Sequence, residues 1–215
     1  SDAETLSIAI LATLSAGMLV GDRELLERGY ARLEEVPTLG FRALVALHVE
    51  EFQGLRPMMA GKATAATRSF EALSDKARTA GYPLCAARTL AHQAQSDLDN
   101  LGDPEQALVL AKRARQVLGA RTVSGVQHLL LARAEAEAHL RAGRPEEALA
   151  ALSALDAWAD ETGLPPLSSV PMLSRVLHLS GHPEGFAPIM TRLRQCELPE
   201  LKPICRAYLA YLEAI

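Results

Sequence analysis

One pattern of polar and apolar positions recurs along the chain: a glycine, four residues, then alanine or a larger apolar residue. It reads Gly21 to Leu26, Gly61 to Ala66, Gly102 to Ala107, Gly143 to Ala148 and Gly181 to Phe186. The glycines stand 40, 41, 41 and 38 residues apart, and such a fixed period is the mark of a repeat architecture. The pattern predicts a helix, a tight turn and a second helix. Glycine takes the left-handed conformation that closes the first helix. Asp103 then caps the next helix, with Gln106 three residues on as its capping-box partner. Pro104, Pro145 and Pro183 fall at the first helical position, where a missing N–H costs nothing. Glu105, Glu146 and Glu184 follow in the first turn, favourable to the helix dipole. The small Ala107 and Ala148 let paired helices approach closely.

The expected repeats are residues 3–36, 41–79, 84–119, 126–162 and 167–196, with a last helix at 203–215. In the third repeat the helices run from Leu84 to Leu101 and from Pro104 to Leu118. In the fourth they run from Val126 to Arg141 and from Pro145 to Thr162. Breakers separate the repeats, among them Pro37 to Gly40, Gly81 to Pro83 and Gly163 to Pro166. The expected architecture is a single all-α domain over 1–215. It is a right-handed α-solenoid of about five helix-turn-helix repeats with a C-terminal helix.

Composition agrees with helices. Alanine, leucine, glutamate and arginine are abundant, β-branched runs are missing, and an apolar fraction of 49% suffices for a sizeable core. The net charge of −4 lacks the basic excess of a nucleic-acid-binding surface. The densest basic cluster, Lys112, Arg113, Arg115 and Arg121, reads as a solvated helix face. Cys85, Cys196 and Cys205 are odd in number and form no Cys-x-x-Cys pair, which fits a reducing cytoplasm and small buried side chains. Thr5 to Gly21 carries no charge, at the lower limit of a membrane span. Its serines, threonines and glycines make a buried repeat helix the better reading, so no membrane partner is expected.

The segments Gly102 to Arg115 and Gly143 to Leu155 resemble the second helix of tetratricopeptide repeats. Ala107 and Ala148 match the small-residue position, Tyr30 and Phe70 the later aromatic one, and Ala114 the last small one. First-helix aromatics are absent, and the period is longer than the family's. Long alanine-rich repeats of this kind are similar to the sensor arms of large ATP-binding LuxR-type bacterial regulators, which resemble the maltose-regulon activator. That resemblance implies a ligand-sensing or protein-binding arm of a transcriptional or signalling regulator. The family's phosphate-binding loop and helix-turn-helix module are not visible in these residues.

No catalytic constellation stands out. His48, His92, His128, His139, His178 and His182 are scattered, and no His-Glu-x-x-His or Gly-x-Ser-x-Gly motif occurs. No metal, cofactor or enzymatic activity is expected. In tetratricopeptide register the first helices line a concave wall. The exposed positions there would be His48, Glu51 and Leu55, then Thr89, His92, Ser96, Asp99 and Asn100. Arg133, Glu137 and Arg141 would follow, then Arg175 and His178. His92, Ser96 and Asp99 share a face by helical spacing, as do Arg133, Glu137 and Arg141. Two readings stand side by side. The stripe is a solvated face held by i, i+4 pairs worth about 0.2–0.5 kcal/mol each, or a polar wall for a protein, peptide or small-molecule ligand. The first helix is apolar most of the way round, which offers a further reading: a structural adaptor that homodimerises through Leu11, Leu14 and Met18.

Overall fold

The computed structural model describes residues 2–20, 22–36, 41–119, 126–152, 174, 176–178, 181, 186–195 and 202–214. Every regular element among them is an α-helix. They are α1 (Asp2–Val20), α2 (Arg23–Glu34), α3 (Ala43–Met59), α4 (Ala63–Thr79) and α5 (Pro83–Asn100). Then come α6 (Pro104–Leu118), α7 (Val126–Arg141), α8 (residues 145–152), α9 (Phe186–Arg194) and α10 (Lys202–Ala214). The helices α5, α6 and α7 begin and end within a residue of the expected positions, and α8 begins at the expected Pro145. Most of the fifth repeat and the end of the fourth, with Arg175, Pro183 and Cys196, lie outside the described residues.

The local chemistry explains the boundaries. Gly102 adopts φ +66°, a conformation costly to any side chain, and turns the chain out of α5. Asp103 then accepts a hydrogen bond from the Gln106 backbone N–H at 3.0 Å, which satisfies one of the orphan donors of α6. Asp22 caps α2 in the same way through the Leu25 N–H at 2.9 Å. Pro104 and Pro145 stand at the first residue of α6 and α8.

The helices form two compact units, residues 1–102 with 110–120 and residues 103–109 with 121–215. In the first unit the core is a succession of small clusters. Ile10, Leu14, Tyr30, Leu33 and Val49 join the first helix pair to α3. Leu55, Ala66 and Phe70 join α3 to α4. Leu47, Leu73, Ala77, Cys85 and Ala86 carry the packing on to α5. The approach of α3 to α4 demands glycine at one point, since a Cβ at Gly54 would meet the Phe70 ring at 2.9 Å. The second unit has one larger cluster, in which Ala136 and Leu140 of α7 and Ala148 and Leu152 of α8 pack with Val176, Ile189, Leu193, Cys205 and Leu212.

Leu14 was an expected self-association residue, and here the structure corrects the sequence. Leu14 is wholly buried and its methyls lie under Gly29, so it holds α1 to α2 and offers nothing to a second copy. Leu11 is half-buried against the same cluster. The Met18 side chain lies outside the described residues. Among its described side chains, the large apolar ones that α1 exposes are Leu6 and Ile8, at 51% and 48%. Among the described residues no helix is long and apolar enough to cross a membrane.

Candidate functional site

The candidate wall is built on α3 and α5, the first helices of the second and third pairs. α5 packs between α3 and α4, so eleven of its eighteen residues are buried, including Thr89, Gln93, Ser96 and Asp97. Along its middle the residues that are not buried are Arg88, His92, Gln95 and Asp99, four, three and four residues apart, of which Asp99 is exposed and the others partly covered. This differs from the expected line. Thr89 and Ser96 were read as exposed and both are fully buried. Their hydroxyls are satisfied locally: Thr89 Oγ1 donates to the Cys85 carbonyl at 2.8 Å, and Ser96 Oγ accepts from Asn100 Nδ2 at 3.2 Å. Small hydroxyls bonded on their own helix can enter a core at little cost, and nothing in the sequence distinguishes them from exposed ones.

Glu51 is the second correction. Expected on the open face, it is only 1% exposed and lies between α3 and α5. Arg88 grips its carboxylate with two nitrogens, Nε at 2.5 Å from Oε1 and Nη2 on Oε2. His92 Nε2 lies 3.3 Å from Oε1, and the imidazole stacks on Phe70 of α4 with centroids 5.9 Å apart. Burial alone would raise the Glu51 pKa. The His92 hydrogen bond and the Arg88 charge outweigh it and hold the carboxyl below its ordinary range. His48, half-buried one turn earlier on α3, is pushed down by burial and then by the Arg88 charge, so its neutral form is favoured. Burial and then the Glu51 charge push the Cys85 thiol up to about 11, which leaves no thiolate at neutral pH.

The structure therefore brings together His48, Glu51 and His92, and adds Arg88, a residue the sequence analysis passed over. The available signal was its place four residues before His92, on the same helix face. Gln95 was missed in the same way. Asp99 is exposed and accepts from Gln95 Nε2 at 3.1 Å, apart from the buried Ser96. Asn100 is half-buried against Ser96.

In the second unit α7 carries the corresponding expected stripe. Glu137 was read as exposed but is 6% exposed, and Arg141 Nε reaches it at 2.7 Å. Arg133 is half-buried, and its Nε has no hydrogen-bond partner. His178 is exposed.

Chemically, the α3–α5 wall presents imidazole groups beside the closed Arg88–Glu51 pair and a carboxylate at the Asp99 end. The one cysteine beside it is protonated, and among the described residues no three His, Cys, Asp or Glu side chains come close enough to hold a metal. Comparison with known proteins finds no family model and no curated protein that matches the chain.

Proposed function

We propose that this chain is a non-catalytic interaction or ligand-sensing module. In this reading its helix pairs form a right-handed array with a repeat of about forty residues, and the first helices face a protein or peptide ligand, or a small molecule. The observation that carries the proposal is the open line Arg88, His92, Gln95 and Asp99, set beside His48 over the buried Glu51. The helix that carries the line buries eleven of its eighteen residues, which restrains it. Rigid placement lowers the entropic cost of binding an extended polar segment. The imidazoles and the Gln95 amide suit backbone groups of a ligand, and the Asp99 end suits a basic group.

The resemblance to sensor arms of LuxR-type bacterial regulators supports a cytoplasmic regulatory setting. Ligand binding would there bias the geometry of the array and be relayed to attached domains. Direct contact with nucleic acid or membrane forms no part of the proposal.

Selection from a displayed peptide library on the immobilised chain tests it. Selected peptides should lose at least about tenfold in affinity on a Gln95→Ala, Asp99→Arg variant, both substitutions being at the surface. Peptides that bind the variant as tightly as the parent chain would remove the α5 wall as the recognition surface. An Arg133→Ala, Arg141→Ala variant asks the same question of α7.

A further inference from the structure

Four arginine–carboxylate pairs that join successive helix pairs among the described residues of the first unit run in one direction. Glu4 of α1 pairs with Arg42 at the start of α3 at 2.8 Å, and Glu34 of α2 pairs with Arg56 of α3. Glu51 of α3 pairs with Arg88 of α5, and Asp75 of α4 with Arg113 of α6 at 3.4 Å. In each the carboxylate belongs to the earlier pair and the arginine to the later one. Each pair thus meets its predecessor with arginine and its successor with acid.

The first pair has the same arginine-bearing side. Arg32 stands eleven residues after Gly21, as Arg113 stands eleven after Gly102. Arg113 has its aspartate; among the described residues Arg32 has no ionic partner. Arg28, one turn before it, reaches only Glu24 of its own helix, at 3.9 Å. Both arginines border a groove between α1 and α2 made of two adjoining hollows of about 270 and 280 Å³ that share Ile10 and Arg32. The floor is apolar, with Leu6, Ile10 and Leu25, and Glu35 stands at the far end. Gly29 lies at the base of the groove, where a Cβ would come 2.6 Å from the buried Leu14, so α1 and α2 approach closely beneath it.

We propose that this groove docks an amphipathic helix of a partner protein, one whose apolar ridge is flanked by carboxylates. The apolar ridge covers Leu6, Ile10 and Leu25. The carboxylates meet Arg28 and Arg32, as Asp75 meets Arg113 inside the fold. Glu35 sets the direction, since it repels an acidic residue at the Val36 end. This surface is separate from the α5 wall, so the two stand or fall independently.

The test uses two labelled synthetic peptides of about 18 residues, a length of roughly 27 Å as helix. Both carry leucines at alternating three- and four-residue spacing, with flanks of glutamate in one and lysine in the other. Fluorescence anisotropy should show the glutamate peptide binding at least about tenfold more tightly, with affinity falling as salt rises. An Arg28→Glu, Arg32→Glu variant, exposed at both positions and checked for unchanged helicity, should reverse the preference. A Leu6→Asp variant should weaken both peptides. Equal binding of the two peptides, or a preference untouched by charge reversal, overturns the proposal. So does native mass spectrometry showing a dimer of the parent chain that the double variant abolishes, because the occupant would then be a second copy.

Discussion

The most apolar helix of the first unit is among its least covered, and the most covered is rich in polar residues. α1 has no charge from Thr5 onward, yet it leaves Leu6 and Ile8 about half exposed. α5 carries Thr89, Gln93, Ser96 and Asp97 and buries all four. Neighbours make the difference. α5 has α3 on one side and α4 on the other, whereas α1 rests on α2 and α3 and leaves Leu6 and Ile8 uncovered by the described residues. Burial is a property of position in a succession of packed pairs, and residue polarity follows it only where local hydrogen bonds or ion pairs do not intervene. Polar groups inside α5 specify which helix lies beside it. Apolar groups outside α1 mark a place where something can be added.

The sharpest way to break this comparison is to disturb the buried polar contact. Glu51→Ala strands the Arg88 guanidinium in a closed site and should cost about 3–5 kcal/mol of unfolding free energy in urea titrations at neutral pH. Replacing both partners together, Glu51→Leu with Arg88→Leu, should recover most of that loss. A double variant as unstable as Glu51→Ala would show that the pair supplies more than register.

Within α1 a pair of substitutions makes the same point one step down. Leu14→Ala should cost about 2–5 kcal/mol, as a core leucine does. Leu6→Ala should change stability by less than about 0.5 kcal/mol. Similar effects at the two positions would mean that Leu6 is covered in solution. Because Leu14 is core, its substitution reads folding and carries no information about dimers.

A third expectation concerns pH. His48 has a folded pKa below its ordinary value near 6.5, so the unfolded chain binds the proton first as pH falls. Stability should therefore be full above that value and decline with acidification below it. A further decline follows as pH drops through the lowered pKa of Glu51, beneath its ordinary 4.5. Urea titrations from pH 8 to about pH 2 should show both declines, and a His48→Gln variant should show a smaller first decline, the remainder coming from His139, whose pKa burial also lowers. The smallest effect is at a boundary: Asp103→Ala should cost about 1 kcal/mol through loss of the α6 cap.

Helix boundaries were legible because their chemistry is local. Glycine at φ +66°, the Asp103 cap and Pro104 lie within three consecutive residues, and each acts on its neighbours alone. The face that a helix presents is a different matter. The open line of α5 lies one position away from the expected one at Arg88 and Gln95, because it depends on where α3 and α4 press. The partner of Glu51 lies 37 residues away along the chain, and no local signal ties the two together. His48 and His92 were singled out by periodicity and do share a site. Arg133 and Glu137 were singled out in the same way, and Glu137 is turned inward onto Arg141.

Residue-resolved amide hydrogen exchange bears most directly on the claim that position between neighbours, and not apolarity, decides what is held fast. The central amides of α5, from Leu90 to Leu98, should exchange only through global unfolding. Those of α1 should exchange through smaller openings, despite that helix being the more apolar. Equal protection of α1 and α5, or faster exchange in α5, would contradict the account.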